Sequence, residues 1–153
     1  MTATAHGLIG ALISAKFQNP ALALPIAFAS HFVCDVIPHW DSGTHRGKKS
    51  RERLFYESVA DVTLSVAGAF ILYHYILGQS NYLYLYVCVL VAQLPDWIMA
   101  PYLICGWRQP WLIVSKWAYQ IQHKINMKLD KPWGIVTQVV AVLGTYFVLF
   151  RIF

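Results

Sequence analysis

Residues 3–37 read ATAHGLIGALISAKFQNPALALPIAFASHFVCDVI, and this stretch indicates the fold. Two apolar runs, about Ala3 to Phe17 and Pro20 to Ile37, are separated by the short break Gln18-Asn19-Pro20. Proline is accepted at the start of a helix but interrupts a helix that precedes it, so the chain is expected to turn here. The two runs therefore predict an antiparallel helical hairpin.

The composition extends this apolar character to the whole chain. Hydrophobic residues make up 58% of the 153 residues and charged residues only 12%, about half the roughly 25% of soluble globular proteins. A soluble domain of this size leaves much of its surface in water and could not bury so much apolar area. The mean hydropathy of +0.48 agrees. We expect an all-α, polytopic membrane bundle that forms a single domain over residues 1–153.

Three further apolar segments complete the expected bundle. They run from about Leu54 to Leu77, from Tyr82 to about Met99 and from Trp133 to Phe153, and the last is about 20 residues, adequate to cross a bilayer. Pro95, near the end of the fourth segment, is expected to kink or stop that helix. The sequence therefore predicts about five membrane helices.

The segment from Trp107 to Met127 is more polar than the others and predicts an amphipathic helix at the membrane surface. In it, tryptophans alternate with basic residues: Trp107, Trp111 and Trp117 with Arg108, Lys116, Lys124 and, just beyond, Lys128.

The net charge of +5, from 12 Lys and Arg against 7 Asp and Glu, has an uneven distribution. Residues 46–53 contain Arg46, Lys48, Lys49, Arg51 and Arg53. Positive charge is typical of cytoplasmic loops, so we expect a multi-pass protein of the inner (plasma) membrane with this loop in the cytoplasm. Basic residues at the ends of apolar runs fit anionic headgroups, and no nucleic-acid partner is expected.

Ionisable residues inside apolar segments are costly and are functional candidates by default. His31 and Asp35 are four residues apart, so both lie on one helix face and could hold one metal ion. The candidate metal ligands in this chain are His6, His31, Asp35, Asp61 and Asp96.

The helical rise of 1.5 Å per residue predicts that these residues share one depth. His6 and Asp35 lie about 21 and 22 Å from the break between the first two runs. Asp61 and Asp96 lie roughly 25 and 22 Å from the turn between the third and fourth. All of them are therefore expected near the cytoplasmic face.

Several Asp and His residues at one depth would repel or stay unsatisfied without a cation. Imidazole and carboxylate ligands suit zinc, manganese, iron or magnesium, and zinc is the first choice where histidine is abundant. The three cysteines are far apart and form no C-x-x-C, so a thiolate site is not expected. More than four candidate ligands suggest two or more ions, an arrangement typical of phosphoester hydrolysis.

Residues 30–41, SHFVCDVIPHWD, resemble the S-H-x-x-x-D-x-x-P-H signature of small bacterial inner-membrane proteins classed as membrane-bound metal-dependent hydrolases. His6, Leu94-Pro95-Asp96 and Gln122-His123 fit that pattern loosely. More distantly, the motif is similar to the metal motif of zinc-dependent phospholipase C, in which the second histidine lies farther from the aspartate than His39 does here. Asp41 or His45 are therefore alternatives to His39.

The resemblance implies a metal-dependent hydrolase, and together with the residue pattern it predicts a phosphoester of a lipid or isoprenoid phosphate as substrate. His39, Asp41 and His123 are the candidate catalytic residues, as further ligands or general acid and base. The basic loop is expected to bind the anionic headgroup. Two alternatives remain: a metal-ion or proton transporter, and a noncatalytic scaffold with a structural metal.

Overall fold

The computed structural model describes residues 1–107 and 112–152, and over these residues the regular structure is helical, which confirms the all-α prediction. The helices are α1 Ala3–Lys16, α2 Pro20–Asp35, α3 Arg51–Ile71, α4 Tyr82–Leu103, α5 Ile113–Ile125 and α6 Trp133–Phe147. A π-helical turn extends α3 through Leu72–Ile76 and another extends α6 through Val148–Ile152.

Three of these helices are long and apolar enough to cross a membrane: Arg51–Ile76, Tyr82–Leu103 and Trp133–Ile152. The helices α1 and α2 form where the sequence predicts them, but they have only 14 and 16 residues. At 1.5 Å per residue they are about 21 and 24 Å long, less than the roughly 30 Å hydrocarbon core. The prediction of about five spans is therefore supported for three helices.

The short helix α1 lies at the centre of the bundle and is buried on nearly every side from Ala5 to Ala15. Its small residues allow this, because helices in membranes approach closely where side chains are small. A Cβ atom at Gly10 would lie 3.0 Å from the carbonyl oxygen of Cys88 on α4. The neighbours of α1 are α2, α3, α4 and α6.

The ends of the helices follow their local sequence. The side chains of Thr2, Asn19, Ser50 and Asn81 accept hydrogen bonds from the first-turn amides of α1, α2, α3 and α4. Such N-caps satisfy amides that have no partner within the helix. Pro95 does not stop α4, which continues through it to Leu103. The predicted end of this helix near Met99 is therefore wrong.

The helix α5 begins at Ile113 rather than at Trp107, and Arg108 and Trp111 lie outside the described residues. Its buried residues are the polar Ser115 and Gln122, whereas Ile113, Trp117 and Ile121, spaced by four, are exposed. The polar face of α5 therefore packs against the bundle, and its apolar stripe faces outward.

The chain that follows α5 is attached to the chain that follows α2. The Met127 amide donates to the Asp35 carbonyl at 3.0 Å, and the Leu129 amide donates to the His39 carbonyl at 2.7 Å. The His39 amide donates in return to the Met127 carbonyl at 3.0 Å. These bonds hold the end of α5 over the end of α2.

Candidate metal centre

Four helices bring ionisable and polar side chains together at the end of the bundle near residues 36–50. His6 comes from α1, His31 and Asp35 from α2, Asp96 from α4 and Gln122 from α5. One ligand atom from each of His6, His31 and Asp96 lies within 4.8 Å of the other two. Asp35 contacts both histidines.

The orientation of His31 makes its Nε2 an acceptor that could also bind a metal ion. Its Nδ1 lies 2.8 Å from the carbonyl oxygen of Ala92, so the Nδ1–H donates there and the neutral ring carries a lone pair on Nε2. Ala92 is three residues before Pro95. The proline ring crowds the preceding helical turn, and proline has no N–H to donate to the Val91 carbonyl. The proline thus lies beside the carbonyl that fixes the histidine tautomer, and such bonds typically orient metal ligands.

Three acceptor atoms converge on the side-chain nitrogen of Gln122. This Nε2 lies 2.6 Å from His31 Nε2, 3.0 Å from Asp35 Oδ2 and 2.9 Å from Asp96 Oδ1. An amide NH₂ has only two hydrogens, so it cannot donate to all three. The same amide's Oε1 is buried without a hydrogen-bond partner among the described residues. The arrangement of acceptors therefore suits a cation better than a neutral amide.

His6 is a buried histidine with unused nitrogens. It is 1% exposed, and neither ring nitrogen has a hydrogen-bond partner within the described part of the chain. Its ring stacks on His31 with the centroids 4.0 Å apart, and its Nε2 lies 3.2 Å from Asp35 Oδ1. Buried polar atoms are normally satisfied, and the only charged group in contact with His6 Nε2 among the described residues is the Asp35 carboxylate, so this ring is a candidate metal ligand.

The spacing of these atoms fits a metal ion. Zinc lies about 2.0–2.2 Å from imidazole nitrogen and carboxylate oxygen, so two ligands of a tetrahedral ion are about 3.3–3.6 Å apart. His31 Nε2 lies 3.4 Å from Asp35 Oδ2 and 3.7 Å from Asp96 Oδ1. His6 Nε2 lies 3.2 Å from Asp35. The ligand atoms of His6, His31 and Asp96 lie within 4.8 Å of one another, so these side chains would have to move closer together to complete such a site.

Asp35 is shared between two groups of side chains. Its Oδ2 faces His31 and Gln122, and its Oδ1 faces His6 and, at 3.8 Å, the Nε2 of His39. The backbone nitrogen of Met1 also contacts Oδ1. His39 Nδ1 lies 2.7 Å from the Ile37 carbonyl oxygen, so its Nε2, like that of His31, is available as a ligand.

Asp41 extends this second group. Its Oδ2 lies 3.6 Å from His39 Nε2 and also contacts the Lys128 ammonium. Burial alone would raise the pKa of Asp41, but hydrogen bonding with His39 and the positive charge of Lys128 hold that pKa below the usual range. Asp41 is therefore anionic at neutral pH.

Two predicted site residues lie apart from the cluster. Both carboxylate oxygens of Asp61 accept hydrogen bonds from the start of α1, at 2.7 Å from the Ala3 amide and 3.0 Å from the Thr4 amide. Asp61 thus caps α1 in the described structure. His123 is exposed and stacks on Tyr119 with the centroids 5.6 Å apart. His45, an alternative to His39, pairs with Asp130 at 2.7 Å on the surface.

Gln122 belongs to this site, although its residue type alone predicts no role as a ligand or catalytic group. The signal was present, because Gln122 and Ser115 are seven residues apart and so share one helix face, the only polar residues of α5 that are buried. Histidine is a common metal ligand and proton-transfer group, whereas glutamine is neither, so the sequence favours the neighbouring His123 over Gln122.

Comparison with known proteins gives no match. No protein-family model matches this chain, and neither a curated protein nor a solved structure is significantly similar to it.

Proposed function

We propose that the protein is a membrane-embedded, metal-dependent hydrolase that acts on a phosphoester of a lipid or isoprenoid phosphate. The observation that carries the proposal is the convergence of His31, Asp35 and Asp96 on one point beside the unpartnered His6. The resemblance of residues 30–41 to the signature of membrane-bound metal-dependent hydrolases supports the same class of activity.

We infer that zinc is the ion, bound by His6, His31, Asp35 and Asp96, with Gln122 turning to present its oxygen or leaving the site. The two-sided Asp35 supports a second ion held with His39 and Asp41. A divalent ion supplies Lewis acidity toward water and toward a phosphoryl oxygen. The fully buried Asp35 fixes the site, whereas Asp96, 31% exposed, is its accessible side.

The protein's own groups have distinct roles in this proposal. His39, held by the Ile37 carbonyl and next to the anionic Asp41, is oriented to take a proton from water at Nε2. His123, on the accessible side, is the second candidate for proton transfer to the leaving oxygen. Asp61 holds α1, and with it His6, in place.

The membrane arrangement is part of the proposal. The helices α3, α4 and α6 would span the inner membrane. The short hairpin of α1 and α2 would lie among them as two further membrane segments, which makes five. Loop 46–53 would be cytoplasmic, and α5 would lie on that surface with its exposed stripe of Ile113, Trp117 and Ile121 in lipid.

Metal content and activity of two matched variants test the proposal. The carboxylate of Asp35 presents one anionic oxygen to each of the two groups of side chains, and the amide of Asp35→Asn cannot. Bound metal and phosphoester hydrolysis should therefore be lost together. Asp130→Asn, the same change at an exposed carboxylate, should retain both. Elemental analysis and hydrolysis assays on purified protein in detergent, with thermal stability measured alongside, give the result.

The outcomes separate the candidate functions. Wild-type protein with less than one equivalent of metal after metal-replete expression would reject the hydrolase and the structural-metal scaffold and favour a proton pathway. Stoichiometric metal without hydrolysis of any lipid phosphate would reject the enzyme. Full metal and activity in Asp35→Asn would reject the assignment of this cluster as the site.

A further inference from the structure

A cavity of about 710 Å³ adjoins the metal centre on its accessible side. It lies between α3, α4 and α5, and its wall is mostly apolar. The apolar residues that line it include Phe55, Val59 and Val62 of α3 and Trp97, Met99 and Leu103 of α4.

The cavity reaches the metal centre at one end. Asp96, which holds one of the converging acceptors, and Gln122, whose side-chain nitrogen these acceptors share, are also part of its wall. His31 and Asp35 are fully buried behind them, and Asp96 is 31% exposed. A ligand in the cavity would therefore approach the cluster from the side of Asp96.

The polar end of the cavity carries a positive group. Arg46 lines it, donates to the Leu103 carbonyl at 2.7 Å and lies over the Tyr119 ring. Within the described residues it forms no ion pair, whereas Lys128 on the same wall is paired with Asp41. A guanidinium without a carboxylate partner is suited to bind phosphate.

The volume limits the part of a ligand that the cavity can enclose. A water-sized group fills about 30 Å³ of liquid, so the cavity accommodates about two dozen non-hydrogen atoms. That is enough for one apolar chain with a phosphate head, and about half of what a glycerophospholipid with two long acyl chains requires. The exposed Phe55, Val59 and Trp97 show that the cavity borders the outer surface of the bundle.

We propose that this cavity binds an anionic amphiphile with a single apolar chain, which arrives from the bilayer between α3 and α4. The chain lies against the apolar walls, and its phosphate contacts Arg46 with the ester directed toward Asp96. This inference narrows the substrate class, and its relevance to hydrolysis rests on the proposed function. Binding of the amphiphile can nevertheless be measured without turnover.

The test is photo-crosslinking of the purified full-length protein in detergent micelles with an alkyl phosphate that carries a diazirine in its chain. Crosslinks located by mass spectrometry should fall on the facing walls of α3 and α4. Excess dodecyl phosphate should compete, whereas inorganic phosphate and dioleoyl phosphatidic acid should compete at least tenfold more weakly. Because no bond is hydrolysed, failure of the hydrolase proposal leaves this result unchanged.

Two kinds of variant show whether the cavity itself is the site. Ala100→Trp fills the cavity and should abolish wall labelling, while Leu64→Trp, on an exposed part of α3 outside it, should not. Arg46→Gln should weaken competition by dodecyl phosphate roughly tenfold or more, the loss of one charged hydrogen bond. Labelling by an uncharged diazirine alcohol should be unchanged in Arg46→Gln.

Three results would overturn the proposal. Labelling that Ala100→Trp and Arg46→Gln both leave intact would indicate ordinary contact with surrounding amphiphile. Equal competition by dioleoyl phosphatidic acid would reject the single-chain ligand. Competition by inorganic phosphate at the same concentration as dodecyl phosphate would show a phosphate site without a chain-binding groove.

Discussion

Replacement of Gln122 by methionine is the most direct test of the convergent acceptors. Methionine has nearly the same shape but no donor, so the variant removes the one NH₂ that His31, Asp35 and Asp96 share. In metal-free protein the loss of a buried hydrogen bond to the Asp35 carboxylate costs about 1.5–3 kcal/mol, and that to the neutral imidazole about 0.5–1.5 kcal/mol. Asp96 is 31% exposed and can be hydrated, so it adds little.

The expected destabilisation of metal-free Gln122→Met is therefore about 2–4.5 kcal/mol, or roughly 4–18 °C in Tm for a chain of this length. With saturating zinc the ion satisfies the acceptors, and the same substitution should cost less than about 1 kcal/mol. Thermal unfolding of chelator-treated and zinc-loaded protein measures both values. Gln120→Met, the same change at an exposed position of α5, is the control and should have no effect in either state. Equal destabilisation with and without zinc would show that Gln122 is a permanent partner of the cluster and that no cation takes its place.

Three other predictions concern the surroundings of the site. Asp61→Asn should lower the free energy of unfolding by about 1–3 kcal/mol, because α1 loses a charged cap, and should leave the metal content unchanged. A variant that is as stable as the wild type but free of metal would identify Asp61 as a ligand instead. Pro95→Ala should strengthen α4 by supplying an amide for the Val91 carbonyl. The tighter turn should shift the adjacent Ala92 carbonyl, so that His31 loses orientation and zinc affinity falls about 10–100-fold in competition with a chelator. Acidification should progressively weaken metal binding, because imidazole ligands must be unprotonated; a metal affinity that does not change between about pH 8 and about pH 5 would argue against histidine ligation.

Much of the fold could be predicted because apolar runs and breaks are local signals. The break at Pro20 and the apolar run that begins at Tyr82 are both visible in the sequence, and α2 and α4 begin at these residues. The path of α4 beyond Pro95 could not be predicted, since tertiary contacts decide whether a helix continues past a proline. The central position of α1 also depends on packing rather than on its own sequence.

The candidate site could be predicted only in part. The i, i+4 spacing of His31 and Asp35 and the common depth of His6, Asp35 and Asp96 follow from helix geometry. Helix rotation does not follow from depth, and it is rotation that turns Gln122 toward the cluster and His123 away from it. Asp61 shows the same limit, since it lies at the expected level but faces the amides of α1.

The site and the packing of the bundle depend on the same helix. The α1 helix is short, and small residues such as Gly10 let α4 approach its backbone, so that His6 from α1 and Asp96 from α4 reach one cluster. The stacked rings of His6 and His31 fill the space between α1 and α2 at the level where Asp35 lies. A cation there would hold together α1, α2 and α4, whose contact elsewhere relies on small apolar side chains. Metal binding and helix association are therefore expected to be thermodynamically linked, with the metal-free bundle loosest at its polar end.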